Sequence, residues 1–147
     1  MAQVTARAER MIDAPAQRVR DAVADYRDVR PRILTEQFRD YRVEAGGSGA
    51  GSRVHWVLQA TKKRARDQLV EVSAPSEQQL VERDTNSSMV TTWTVSPAGA
   101  DRSTVAIETT WNGASGVGGF FERTFAPKAL QRIFDGVLSN LDGVVRG

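Results

Sequence analysis

The chain has no cysteine and only one histidine, His55, in 147 residues. Without cysteine there are no disulfides, no thiolate metal sites, no iron–sulfur cluster and no cysteine nucleophile. A single imidazole excludes any site built on two, the HExxH zinc motif included. No stretch approaches the roughly 18 consecutive apolar residues of a membrane-spanning helix. The opening run Met1-Ala2-Gln3-Val4-Thr5-Ala6-Arg7 lacks the apolar core of a secretory leader, which points to a cytoplasmic chain. Any chemistry must come from carboxylates, arginines, hydroxyls, phenols or His55, and no metal or cofactor is expected.

What is present fits one domain spanning residues 1–147. The composition is 40% hydrophobic and 26% charged, and a chain of this length buries about two thirds of its unfolded surface without staples. The formal net charge is +2, too small an excess to argue for nucleic acid. The cluster Lys62, Lys63, Arg64 and Arg66 reads as a solvated hairpin tip. The sharper alternative is a patch for an acidic protein or ribosomal partner. A homodimer is compatible with the composition.

Periodicity divides the chain. Val4, Ala6 and Ala8 alternate with Thr5, Arg7 and Glu9, which predicts a strand through Ile12. Asp13 is placed to cap the next helix, with Pro15 in its first turn. Val19, Ala22, Val23 and Tyr26 then form one helical stripe. Asp28 opens a second short helix through Ile33-Leu34. From Phe38 the period becomes two, with Tyr41, Val43 and Ala45 on one face. The glycines of residues 46–51 make a turn. Val54, Trp56, Leu58 and Ala60 share a face of the next strand. Leu69–Val72, Leu80–Arg83, Met89–Val95 and Val105–Trp111 complete the meander, with a turn expected at Ala74-Pro75-Ser76-Glu77. Leu130, Phe134, Val137, Leu141 and Val144 form the stripe of a long helix from Phe120 to about Val145, which Pro127 should kink or interrupt near Phe125-Ala126. The glycine-rich Gly113–Gly119 stretch reads as a mobile loop before it. Its spacing fails the GxGxxG dinucleotide pattern.

This order gives an α+β domain: a curved antiparallel sheet of about seven strands around a long C-terminal helix, with two short helices after the first strand. A sheet curling around one helix leaves a cavity as a by-product, and such cavities take apolar molecules. Trp56, Trp93 and Trp111 fall on the inner parity of their strands. They serve as core, as pocket wall, or as both. Leu58 and the helical Phe134 face the same space.

The residues resemble a known group. Ile12-Asp13-Ala14-Pro15, followed by Val19, Val23 and the Asp25-Tyr26 pair, is similar to the opening of the SRPBCC (START-like, Bet v 1-like, helix-grip) superfamily. Leu80-Val81-Glu82-Arg83-Asp84, Thr91-Thr92-Trp93-Thr94-Val95 and Gly118-Gly119-Phe120-Phe121-Glu122-Arg123 resemble its bacterial polyketide cyclase/dehydrase-type branch. The resemblance covers the whole chain. It implies a hydrophobic cavity without implying one activity, because relatives range from aromatase/cyclases to lipid carriers and ribosome-associated toxins.

Polar candidates on the inner parity are few. Arg10 shares the parity of Val4, Ala6 and Ala8, and could meet a ligand oxygen or form a structural ion pair. Tyr41, Thr91 and Thr109 supply hydroxyls. Phe120 and Phe121 adjoin the glycine-rich loop at the cavity mouth. His55 falls on the outer parity, which leaves it no catalytic role unless a bulge turns it inward, and no Gly-x-Ser-x-Gly elbow marks a serine nucleophile. With no convergent acid, base or metal cluster, the sequence favours a carrier or sensor of a small hydrophobic or amphipathic ligand, such as a lipid or polyketide. A polyketide cyclase/aromatase or dehydrase is the enzyme alternative, and a protein or ribosome interaction module is the second.

Overall fold

The first strand follows its alternation closely. In the computed structural model, which describes residues 3–62, 64–112 and 116–146 (side chains of 64 and 116–126 excepted), β1 (Gln3–Ile12) buries Val4, Ala6 and Ala8 and exposes the residues between them. Two short helices follow, α1 (Ala16–Ala24) and α2 (Arg30–Ile33). Six more strands, β2 (Phe38–Ala45), β3 (Arg53–Thr61), β4 (Arg64–Ser76), β5 (Gln79–Asp84), β6 (Val90–Pro97) and β7 (Ser103–Asn112), lead to α3 (Gly116–Arg146). The strands form one antiparallel seven-stranded sheet in the order β1-β7-β6-β5-β4-β3-β2. α3 packs along β1 and also touches β3, while α1 and α2 contact α3. The core lies between them, with Ile12, Val19, Ile33, Val54, Val105 and Leu141 fully buried.

Several local expectations need correction. α1 has no side-chain cap, and Pro15 is its N-cap residue. Asp13 instead accepts a hydrogen bond from Arg102 Nε at 2.8 Å, across to the start of β7. The capping carboxylate is Asp25, whose Oδ1 accepts from the backbone N–H of Arg27 and of Asp28 and so shapes the corner between α1 and α2. Tyr26 lies beyond α1 yet is fully buried. β4 runs on through Ala74 and Pro75, and the chain reverses only after Ser76. The β4–β5 register breaks between Ser73 and Ser76, which removes the ladder bond that Pro75 could not donate. α3 is one continuous helix across Pro127. A mid-helix proline costs about 3 kcal/mol, but the turns beyond it bury Leu130, Phe134, Val137 and Leu141, which outweighs that cost. Residues 116–119 are helical rather than loop, despite glycines that local propensity disfavours. Residues 113–115 lie outside the described set.

β2 carries a bulge that matters for the interior. Its register against β3 shifts between Arg39 and Arg42, and Asp40 adopts φ 55. The extra residue puts Phe38, Tyr41 and Val43 on the inner side together, while Ala45 is exposed. The turn after β2 needs its glycines. Gly46 sits at φ +68, and a Cβ there would come within 2.8 Å of the Ser52 Cα.

His55 keeps the outer parity but is only 6% exposed. Its Nδ1 lies 2.8 Å from the Asp40 carbonyl and its Nε2 lies 2.9 Å from Asp67 Oδ1. A carbonyl only accepts, so Nδ1–H is the donor and pins the bulge. The imidazolium satisfies both contacts. The neutral ring keeps its proton on Nδ1 and turns a lone pair toward Asp67. We therefore expect neutral His55 to be the Nδ1–H tautomer. Imidazole nitrogen chemical shifts check this without ambiguity, since the chain has one histidine. An Nε2–H tautomer would refute the assignment.

Candidate functional site

The short α2 puts an arginine where the hydrophobic effect would not place one. Pro31 lies in the first turn of α2, and the Asp25 turn that precedes it directs Arg30 inward, where it is 1% exposed. Opposite, the inner face of β5 runs Leu80, Glu82, Asp84, with Leu80 paired to Trp93 and Glu82 to Thr91. Arg30 Nη1 donates to Glu82 Oε2 at 2.7 Å. Tyr26 Oη donates to the same oxygen at 2.5 Å, and Trp93 Nε1 donates to Oε1 at 3.3 Å. Arg30 Nη2 donates to the Val23 carbonyl at 2.8 Å. The guanidinium lies between two rings, 4.4 Å from the Tyr26 centroid and 4.6 Å from that of Trp93. These bonds and ring contacts compensate for taking both charges out of water. Arg30 Nε–H, though buried, has no partner among the described residues.

The electrostatics hold Arg30 charged and Tyr26 and Tyr41 protonated. Burial works against the Arg30 charge, but the Glu82 carboxylate and the electron-rich Tyr26 oxygen more than offset it, and the guanidinium is held even more firmly charged than usual. Burial raises the Tyr26 hydroxyl well above the ordinary phenol range, the Glu82 charge adds to this, and Arg30 opposes it. Burial likewise raises Tyr41, partly offset by Arg30. Its hydroxyl donates to the Tyr26 carbonyl at 2.6 Å.

A consequence for pH follows. Below about pH 10 both folded and unfolded chains keep their phenol protons, so nothing changes. Above it the unfolded chain ionises while the folded one does not, so stability falls as pH rises. These are the only two tyrosines. We expect the folded protein at about pH 11 to show almost no tyrosinate absorbance, which should appear together with unfolding. Tyrosinate at full amplitude in the native protein would contradict the buried cluster.

Next to the cluster is an internal cavity of about 30 Å³, walled by Leu34, Phe38, Trp56, Leu58, Ile107, Phe134 and Val137, with Arg30, Glu82, Gln68, Met89, Thr91, Trp93 and Thr109 at its polar side. This is about the volume of one water molecule. Trp56 is held by an Nε1 donation to Gln68 Oε1 at 2.7 Å, by the edge of Phe38 at 6.0 Å and by the parallel ring of Tyr41 at 6.2 Å. Thr91 and Thr109 bond each other at 2.6 Å, so each hydroxyl has a partner.

Trp56, Leu58, Thr91, Trp93, Thr109 and Phe134 thus meet at one cavity. Tyr41 stands behind Trp56. Arg10 does not reach the cavity. Its guanidinium is half exposed and bonds Asp142 of α3 at 2.8–2.9 Å, because the far end of β1 lies beside the end of α3 and not over the hollow. Trp111 is buried near the start of β1, opposite Val4, away from the cavity, with Nε1 unpartnered among the described residues. The side chains of Phe120 and Phe121 lie outside the described set, as do Lys63 and the side chain of Arg64 in the basic cluster. No group of three or more histidine, aspartate or glutamate side chains able to hold a metal occurs among the described residues, and no described helix is long and apolar enough to cross a membrane.

Sequence reasoning missed Arg30 and Glu82. The signal for Glu82 was present, since strict alternation puts it on the parity of the inward Leu80. Arg30 gave no such signal, because a four-residue helix has no period to read.

The sequence matches the model of the polyketide cyclase/dehydrase and lipid transport family over residues 3–146. The chain belongs to this family. Among solved structures, the KanY protein, determined in solution by NMR, is 48% identical, with 100% of each chain covered and a TM-score of 0.90. The Zhui aromatase/cyclase from Streptomyces sp. R1128 shares the fold at 14% identity, TM-score 0.69, with 99% of this chain and 94% of that one covered. Norcoclaurine synthase from Thalictrum flavum, solved with dopamine and hydroxybenzaldehyde, shares it at 12% identity, TM-score 0.68, covering 98% and 87%. No curated protein matches. The family membership and these neighbours agree with the helix-grip reading: a seven-stranded sheet, short helices and a long C-terminal helix.

Proposed function

We propose that this member of the family binds a small hydrophobic or amphipathic molecule between the sheet and α3, as a carrier or sensor. One observation carries the reading. The space is apolar on one side and bounded on the other by an ionic cluster whose side chains engage one another, Arg30 Nε–H excepted. Glu82 has both oxygens occupied, Arg30 is held charged, and Tyr26 and Tyr41 are held as protonated phenols. A general acid or base works best with a pKa near the operating pH, and none of these three is tuned there. The cavity at its present size cannot hold a lipid, so binding requires wall side chains to move apart, which makes the ligand a stabiliser of an opened form. Native mass spectrometry and solvent extraction of the purified protein test this directly. A bound apolar molecule at one per chain supports the reading. A chain that stays empty and gains no thermal stability from any apolar or amphipathic molecule overturns it.

The enzyme reading has one observation in its favour. The unused Arg30 Nε–H at the cavity wall could meet the oxygen of a ligand enolate. Ring closure of a poly-β-ketone that fails in Arg30→Lys, with ligand affinity retained, would establish it. Closure rates equal to those without protein would end it.

A further inference from the structure

A second hollow adjoins the internal one. A groove of about 360 Å³ opens between α1 and the β4–β5 hairpin, lined by Gln17, Arg20, Asp21, Val23 and Ala24 on one side and by Ala74, Ser76, Gln78, Gln79 and Leu80 on the other, with Trp93 and Val95 at its floor. That volume lies in the range of small-molecule sites. Trp93 borders both spaces. Along the inner face of β6, Val95 lies in the groove, Trp93 at the boundary and Thr91 in the cavity. On β5, Leu80 lies in the groove and Glu82 in the cavity. Trp93 with Arg30 stacked on it stands at the boundary, and its indole N–H makes a long hydrogen bond to Glu82, 3.3 Å.

The groove also carries an unsatisfied donor. Arg20 Nε–H is buried without a partner among the described residues, and its Nη1 makes only a 3.4 Å contact with Gln17. A buried donor left unpaired is costly and invites an acceptor from outside. The lining holds two carboxylates, Asp21 and Glu77, against the one guanidinium of Arg20. An anionic head is therefore disfavoured and an uncharged oxygen acceptor fits.

We propose that this groove is the doorway and head seat of the ligand site. An uncharged amphiphile rests its carbonyl, ester or hydroxyl oxygen on Arg20 Nε–H, and its apolar body displaces the Trp93 ring to enter the interior. This rests on the container reading above and adds the route and the head chemistry.

Stopped-flow binding of Nile red, a neutral fluorophore with a carbonyl acceptor, tests it. Ala74 is exposed on the groove rim, so Ala74→Trp fills the groove without entering the core. It is expected to slow association about tenfold, a barrier raised by about 1.4 kcal/mol. Arg20→Met removes the head contact and is expected to weaken affinity about tenfold, mostly through faster dissociation. Trp93→Leu opens the partition and speeds both rates. If Nile red binds saturably but Ala74→Trp and Arg20→Met leave its rates and affinity unchanged, the doorway is wrong and the container reading stands. If wild type shows no saturable binding of Nile red, the doorway falls, and extraction and thermal stability decide the carrier reading separately.

Discussion

Replacing Glu82 with alanine is expected to destabilise the protein by about 3–5 kcal/mol, the loss typical of breaking a buried ion pair from one side. Ordinary domains are stable by only about 5–15 kcal/mol, so the variant should sit near its folding limit. The cost comes from what remains. Arg30 is 1% exposed and would keep its charge with no counter-ion, while the hydroxyl of Tyr26 and the indole N–H of Trp93 lose their acceptor. Removing the charge together with its partner should be far milder. In Arg30→Met with Glu82→Gln, the amide carbonyl still accepts from Tyr26, and the methionine fills much of the arginine volume. Urea unfolding of wild type, Arg30→Met, Glu82→Gln and the double variant closes a thermodynamic cycle, with Glu82→Ala measured beside it. We expect the double variant to be more stable than Glu82→Ala. A double variant at least as unstable as Glu82→Ala would mean that the pair contributes shape and not charge balance.

Truncating Phe134 to alanine should cost about 3–5 kcal/mol, the usual range for a buried phenylalanine. The same change should enlarge the internal cavity from its present 30 Å³. A hollow enlarged on its apolar side by loss of the ring is expected to take up benzene, as engineered apolar cavities do. Benzene at a hundred times its dissociation constant would then return about 2.7 kcal/mol. Val105→Ala supplies the comparison, because Val105 is fully buried but does not border the cavity. Thermal unfolding with and without benzene should show rescue of the Phe134 variant and none of the Val105 variant. Equal rescue of both, or of neither, would place the hollow elsewhere.

How much of this could be read beforehand depends on the kind of regularity. Strands with one face buried announce themselves by alternation, and Val4-Ala6-Ala8 and Val54-Trp56-Leu58 kept their predicted faces. The helical stripe from Leu130 to Leu141 did the same, and the helix runs on through Pro127 back to Gly116. Such patterns also brought six of the expected wall residues, Trp56, Leu58, Thr91, Trp93, Thr109 and Phe134, to one cavity. Parity says which face a residue occupies but not where along the sheet the hollow lies. For that reason Arg10 and Trp111, inward by alternation, stand at other places, one on Asp142 and one opposite Val4. The polar end of the site comes from Tyr26 and Arg30, which lie in a turn and a four-residue helix. Their inward direction is set by the Asp25 turn and by the tertiary partner Glu82, neither of which leaves a period in the sequence.

The most direct test of the container reading uses the three indole N–H signals of the protein in a two-dimensional N–H correlation spectrum. Trp56 borders only the internal cavity, Trp93 borders both the cavity and the groove, and Trp111 borders neither. Titration with β-naphthol, a small neutral aromatic with one hydroxyl, is predicted to move the Trp56 and Trp93 signals saturably at one molecule per chain and to leave Trp111 in place. A Trp56 signal that stays fixed while binding saturates would contradict the account, because the ligand would then be lodged outside the space between the sheet and α3.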